Sequence, residues 1–520
     1  MTALQPARHD PPQARGARRP ADARVPFPLV DEISRHCLED AEPETVHIEV
    51  HLPGRLDHER LRTAFHQALA RHPRVLMRQV QTRWWHRHYT WQLTPAPDVD
   101  PVAFPPPGPD ALARARTRAL TECPPLDASP PLRLEVIEPP PTGGTTATSV
   151  PGGTVLLLTV HHTALDGPAC LRILATAAEL YADTPDLPPP LPTTPAPTST
   201  HHTIHPLPPA PSLPSLPSLP SRSNPLTRPA RLAPDHTTTA ATAPPTGNGL
   251  LLTDLPLPTR TPHPTNQSSR PPYTINDQLL VATYLMTTRW NQLHHHRPTA
   301  PVVLTMPIDD RPPGPHMPIG NGTRLTQVTF PPPPPPPPPL THLLHQTAAR
   351  TRALKSAAPT SQLGLPATLL TALPLPVGPR RALVRALRAL AAPWSPTALV
   401  SNIGRVPYPL YFGEAGGRAT AVWFSAPARM PRGLSITTAA THDGDRVHLA
   451  LRWSRALLDD ASAAQLLALL RSSFATTHPT PGPLTPPTGQ GSPPLAAGTA
   501  QETPRPQGGT PPPKPEGATP

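Results

Sequence analysis

Proline decides which parts of this chain can enter a packed fold. It has no amide hydrogen to donate and fixes its own φ, so helix interiors and central strands exclude it. The chain has 91 prolines in 520 residues, crowded into a few tracts. Residues 1–24 are rich in Pro and Arg and read as a disordered leader. Residues 186–247 collapse into Pro, Thr, Ser and His, with a Ser-Leu-Pro repeat at 212–220, and read as an extended linker. Residues 479–520 read as a disordered tail, and the nine prolines at 331–339 as a rigid surface spacer. About 380 residues remain once such tracts are set aside, ample for a large core. They fall into two segments, 25–185 and 248–478. With only 4% aromatic residues, that core has to be built mainly from Leu, Val and Ala.

The most informative stretch of the first segment runs from Thr154 to Pro168. Its opening run of branched apolar residues reads as a buried strand. His161 and His162 follow at once, then Asp166, Gly167 and Pro168 in front of an apolar-periodic segment ending at Tyr181. Asp suits a helix N-cap and Pro the first helical turn, so the local reading is strand, sharp loop, helix. The histidines then sit on a loop presented by a rigid scaffold. Asp166 alone reads equally well as a simple cap. A metal pair is disfavoured, because no Cys or His lies at a regular ligand spacing nearby.

Elsewhere the chain alternates between helix and strand patterns. Val46–Leu52 alternates apolar and polar residues; Leu56–Leu69 has helical spacing with Asp57 as its cap and Arg71-His72-Pro73 as its end. Strands are expected to fill 75–93, with Trp84, Trp85, Tyr89 and Trp91 as their aromatic mass. A short helix follows at Ala111–Leu120, and an alternating strand at Pro131–Glu138. In the second segment, Leu250–Thr253 reads as a strand, Thr274 caps a helix through Trp290, and Pro301–Ile308 is a strand ending at Asp309-Asp310-Arg311-Pro312. Gly320-Asn321-Gly322 turns into a strand at Thr323–Phe330. Helical spacing returns at 340–356 and Arg380–Ala391. Ala398–Gly404 is a strand. Leu434–Thr441 and Arg446–Trp453 form a hairpin joined by Asp443-Gly444, and a last helix spans Asp459–Phe474.

His161-His162-x-x-x-Asp166-Gly167 behind an apolar strand resembles the signature of the condensation-domain superfamily of acyltransferases. That superfamily takes in nonribosomal peptide synthetase condensation domains, wax ester synthase/diacylglycerol acyltransferases, polyketide-associated acyltransferases and, more distantly, chloramphenicol acetyltransferase. The order of Pro28-Leu29-Val30-Asp31, Leu56-Asp57, Arg71-His72-Pro73 and Pro131-Leu132-Arg133 resembles it too. In the second segment the Asn276-Asp277 helix start, Pro307 to Arg311, Gly320-Asn321 and Ser401-Asn402-Ile403-Gly404 are similar to wax ester synthase-like relatives. The Asp-Phe-Gly-Trp-Gly loop of peptide-synthetase condensation domains is missing, with only Phe412-Gly413 present, which points away from the peptide-bond-forming subclass.

The resemblance implies an α/β (α+β) fold of two chloramphenicol-acetyltransferase-like lobes, a pseudo-dimer with a tunnel between them. The lobes are expected at 25–185 and 248–478. It implies a standalone acyltransferase taking an acyl group from acyl-CoA or a phosphopantetheinyl carrier-protein thioester to a hydroxyl or amine. His161, His162, Asp166 and Gly167 form the catalytic set, with His162 as general base. Asp166 would pair with an arginine, for which Arg311 is the candidate, while Asn321, Ser401 and Asn402 are candidates for the acceptor side of the tunnel. No bound cofactor or metal is expected. A second reading is a noncatalytic condensation-like protein that docks on a carrier-protein assembly line; a third is an adaptor whose Pro-rich tracts serve as polyproline ligands. The intact histidine motif favours the enzyme.

Charge and composition narrow the partners. The net charge is +11, but the basic residues are mainly scattered arginines with no basic stripe among aromatics, so nucleic acid is not an expected partner. Cys37, Cys123 and Cys170 give neither a disulfide framework nor a zinc spacing. Without an 18-residue apolar run or an apolar leader, the expectation is a cytoplasmic monomer.

Overall fold

The computed structural model describes residues 23–38, 42–138, 153–183, 227–234, 246–256, 272–295, 299–311, 317–357, 374–428, 433–442 and 444–478. Most of the leader, most of the 186–247 tract with His201, His202 and His205, Asp443 of the hairpin turn, and the tail lie outside them.

The first half runs β1 (Arg24–Pro26), α1 (Leu29–Cys37), β2 (Thr45–Leu52), α2 (His58–Arg71), β3 (Met77–Gln79), β4 (Thr90–Leu93), β5 (Val102–Ala103), α3 (Ala111–Thr121), β6 (Leu132–Ile137), β7 (Thr154–His161) and α4 (Gly167–Tyr181). The second runs β8 (Asn248–Pro256), α5 (Ile275–Leu293), β9 (Val302–Asp309), β10 (Thr323–Phe330), α6 (Leu340–Ser356), α7 (Val377–Ala391), β11 (Ala398–Arg405), α8 (Gly413–Gly416), β12 (Ala421–Ser425), β13 (Leu434–Ala440), β14 (Arg446–Ser454) and α9 (Asp460–Thr476).

The first lobe is built on a sheet in the order β12-β2-β7-β6-β5. Its central strand β7 is apolar on both faces because both are covered. Leu156, Leu158 and Val160 join the core under α2 and α4, while Val155 and Leu157 meet Ala111, Ala115 and Ala119 on α3. The spacing of four between those alanines is what lays one flat stripe of α3 on the sheet. Strand β2 shows the complementary pattern. Val46, Ile48 and Val50 enter the α2–α4 core, and the intervening Thr45, His47, Glu49 and His51 are also buried, on the other face. There Glu49 is held by Arg116 of α3 at 2.6 and 2.8 Å, and Thr45 O accepts from Arg452 of β14 at 2.7 Å. The second lobe has its own sheet, β10-β9-β11-β13-β14-β8, packed against α5, α6 and α9 around a separate core. Thr274 and Asp277 form a capping box at the start of α5.

Three features depart from the sequence reading. The stretch 75–93 is not continuous strand: β3 and β4 are short, Trp91 is fully buried, and Trp84 and Trp85 stand exposed on the loop between them. Residues 227–234, within the expected linker, are packed. Leu232 and Ala233 are buried in the second core, Trp290 Nε1 donates to Ala233 O (2.9 Å), and Asn291 Nδ2 donates to Arg231 O (2.8 Å). A Pro-rich average hides such a short apolar insert. Finally, the second half sends two elements into the first lobe. Strand β12 pairs antiparallel with β2 at the sheet edge, and α7 lies against α1, with an Arg380–Glu32 ion pair and Arg385 Nη2 donating to Leu38 O at 2.8 Å.

Candidate active site

Strand β7 ends at His161, and the turn 162–166 leads directly into α4, whose N-cap is Asp166: its carboxylate accepts from Ala169 N at 3.1 Å. The turn is pinned on several sides. His162 N donates to Glu44 O at 3.0 Å, Ser34 and Thr163 share a hydroxyl–hydroxyl bond of 2.8 Å, and Asn321 Nδ2 donates to the carbonyls of His162 (3.2 Å) and Thr163 (2.9 Å). The same Asn321 amide donates to Asp31 Oδ1 at 2.9 Å, and Trp91 Nε1 donates to Asp31 Oδ2 at 3.0 Å. Burial pushes Asp31 up to about 6.

The two histidines differ. His162 Nδ1 lies 3.2 Å from Leu165 O, and a carbonyl can only accept, so Nδ1 carries the proton and Nε2 keeps its lone pair. Burial holds the ring below the ordinary 6.5, with the Leu165 carbonyl and Asp166 pulling the other way. A neutral imidazole with an available Nε2 is the form that can take a proton. His161 is turned away. Its Nδ1 accepts from Thr163 N at 3.2 Å, burial drives it down to about 3, and it does not line the cavity that His162 lines. Of the expected catalytic set, His161 is thus placed inside the turn, with its Nδ1 bonded to Thr163 N.

Asp166 faces the second lobe. Arg311 Nη2 reaches its two oxygens at 2.9 and 2.8 Å, and Gly322 N (2.9 Å) and Thr323 Oγ (3.0 Å) add to Oδ2. Arg311 is itself held by Asp309 and by the carbonyls of Pro318 and Gly320. Burial opposes its charge, but the bonds to Asp309 and Asp166 keep it raised. The ion pair therefore ties the first turn of α4 to the β9–β10 connection. A carboxylate with this many donors is an anchor, not a base.

His162, Asp166 and Gly167 line a cavity of about 360 Å³ between the lobes. Its other walls include Val46 and Leu171 from the first half and Leu399, Ser401, Asn402, Tyr408 and Phe424 from the second. Ser401 and Asn402 thus lie where His162 does. Asn402 Oδ1 accepts from Gly404 N and Thr438 Oγ1, which fixes its amide. Asn321, the third residue expected on the acceptor side, is outside the cavity lining and bridges Asp31 and the histidine turn. Gly167 is required by a neighbour: a Cβ there would stand 2.3 Å from Cε2 of Phe424. Sequence reasoning missed Asp31, Glu44 and Phe424 as parts of this arrangement. Asp31 carried the one available signal, its place in the Pro28–Asp31 segment. Among the described residues no group of three or more His, Cys, Asp or Glu side chains is arranged to hold a metal. None of their helices is long and apolar enough to cross a membrane.

No family model matches the sequence. Two uncharacterized proteins of Mycobacterium tuberculosis, Rv2305 from strain H37Rv and MT2362 from strain CDC 1551, are each 26% identical over 396 residues, covering 74% of this chain and 84% of the relative. Among solved structures, the condensation domain of the Monacolin K polyketide synthase MokA superposes with a TM-score of 0.55 at 14% identity, over 87% of this chain and 97% of that one. The trichothecene 15-O-acetyltransferase TRI3 of Fusarium sporotrichioides gives 0.54 at 11% identity, over 88% and 95%. The starter condensation domain of rhizomide synthetase RzmA, solved with C8-CoA and Leu-SNAC, gives 0.53 at 11% identity, over 88% and 94%. With a large sheet in each lobe, its exchanged strand and these likenesses, the chain has the two-lobed α/β fold of condensation domains and of chloramphenicol-acetyltransferase-like enzymes.

Proposed function

We propose that this protein is an acyltransferase that moves an acyl group from a CoA or carrier-protein thioester to a hydroxyl or amine, with His162 as general base. One observation carries the reading. The His162 ring, its Nδ1 bonded to Leu165 O, lies on the wall of the inter-lobe cavity with Nε2 left to act. In the reaction His162 Nε2 takes the proton from the acceptor as its oxygen or nitrogen attacks the thioester carbonyl carbon. The C–S bond then breaks and the imidazolium returns the proton to the leaving thiolate. Val46, Leu171, Leu399 and Phe424 give the cavity an apolar lining suited to an acyl chain, and Ser401 and Asn402 offer polar groups to the acceptor. Asp166 and Arg311, paired with each other on the cavity wall, hold the turn. The fold shared with an O-acetyltransferase and with a condensation domain solved with an acyl-CoA supports the same chemistry. Mass spectrometry of the purified protein with a panel of acyl-CoA donors and simple alcohols and amines tests it. An ester or amide formed by the wild type and not by His162→Ala is expected. No product from any pair, or equal product from the variant, overturns it.

A further inference from the structure

Two tryptophans project from the first lobe. Trp84 is 65% exposed and Trp85 49%, on the loop between β3 and β4, with their rings edge-on at 5.6 Å and the Arg83 guanidinium over Trp85. The loop is fastened to α7 from the second half: Val377 N donates to His86 O at 2.7 Å and Gly378 N to Trp84 O at 2.8 Å. Helix α7 turns Val377, Arg380 and Val384 inward. Toward its C-terminal end Leu387 is 40% and Leu390 70% exposed, and Trp394 just beyond that end is 41% exposed.

Single exposed apolar residues are ordinary on a soluble protein. Three tryptophans and two leucines on a loop, the helix bonded to it and the turn after that helix are not, and the stretches that carry them are basic. No Asp or Glu occurs between Glu59 and Asp98, the stretch that carries the loop, nor between Asp310 and Glu414, the stretch that carries α7. The loop itself reads Arg83-Trp84-Trp85-His86-Arg87-His88.

We propose that the Trp84–Trp85 loop, with the exposed leucines of α7 beside it, docks this protein on an anionic phospholipid surface. Trp rings settle at the headgroup level of a bilayer, where one edge is apolar and the other wet. Leu387 and Leu390 reach the acyl boundary, while Arg83 and Arg87 meet phosphates. Charge complementarity selects the partner: a loop whose only charged side chains are Arg83 and Arg87 gains nothing at a zwitterionic surface and is drawn to a negative one. The proposal is independent of the acyl-transfer reading.

Sedimentation of the full chain with vesicles of phosphatidylcholine, and of phosphatidylcholine with an equal part of phosphatidylglycerol, tests it. Binding to the anionic vesicles alone is expected, weakening as salt rises from about 0.1 M to about 1 M. Trp84→Ala/Trp85→Ala and, separately, Leu390→Glu should each lower that affinity about tenfold or more, at an unchanged melting temperature. The two variants alter different elements, so a folding defect in one leaves the other informative. Failure to bind either vesicle overturns the proposal, as does binding by the variants equal to wild type. A wild-type dimer in light scattering that Trp84→Ala/Trp85→Ala converts to monomer also overturns it, assigning the face to a second copy of the chain.

Discussion

Removing the His162 imidazole leaves the turn's own restraints in place. The backbone bond from His162 N to Glu44 O and the Asn321 bonds to the carbonyls of His162 and Thr163 do not involve the ring. His162→Ala should therefore lose acyl transfer by about 10²-fold or more, the usual worth of a positioned general base, while melting like wild type. His161→Ala should instead cost stability first, because the Thr163 amide loses its acceptor. Equal losses of rate with no change in melting would refute this division of roles. The pH profile carries a separate sign. A general base works when neutral, and burial holds His162 below 6.5. The acid limb of kcat/KM should thus fall below pH 6.5, and a limb above it would exclude His162 as the titrating base. Asp166→Ala takes one of two carboxylates from the Arg311 guanidinium, leaving Asp309 and the Pro318 and Gly320 carbonyls, and removes the α4 cap. A loss of about 2–4 kcal/mol is expected in denaturant unfolding, from a half-broken buried ion pair together with a lost cap.

At the scale of elements, β12 and α4 meet where Gly167 faces the Phe424 ring. Gly167→Ala would push a methyl to 2.3 Å from the Phe424 ring, and either the strand or the helix has to move. A cost of about 1–3 kcal/mol is expected, since overpacking is relieved only by backbone shifts. Phe424→Leu in the same chain should recover much of the lost melting temperature; no recovery would show that the strain lies elsewhere. Elements of this kind mark where the sequence was legible. β7, α2, α4 and α5 announce themselves because their periodicity, caps and burial all agree. The Thr154–Pro168 turn was readable for the same reason, and the Asp166–Arg311 pair only through a resemblance. β12 was not: five buried residues, Ala421–Ser425, have no alternation to read, and their place is set by pairing with β2, more than 300 positions earlier. Asn321 and Asp31 meet across a separation of 290 residues, which no local pattern encodes. Trp84 and Trp85 misled in the opposite direction, since aromatic residues are common in strands yet here occupy an exposed loop.

The whole molecule is held together by exchange between its halves, and that decides what the Pro-rich tract between them is for. β12 completes the first lobe's sheet, α7 packs on α1, Arg452 of β14 donates to Thr45 O and Pro43 O, and Arg311 reaches Asp166. None of these contacts runs through residues 184–226. Loop closure costs change slowly with length, about 0.6 kcal/mol per doubling, so a shorter connection that still spans the lobes should be tolerated. Residues 227–234 are a different matter, because Leu232 and Ala233 fill the second core and cap Trp290 and Asn291. Replacing 195–226 with a short Gly/Ser segment should leave melting and acyl transfer unchanged. Extending the replacement through 234 should lower stability by about 2–4 kcal/mol, the cost of emptying a Leu-sized site. A protease cut within 195–226 should give two fragments that still elute together, since the first fragment's sheet would otherwise lose its β12 edge. Fragments that separate and stay folded would show that the exchanged strand does not hold the lobes, and a cavity shared between them would no longer be a tenable home for the reaction.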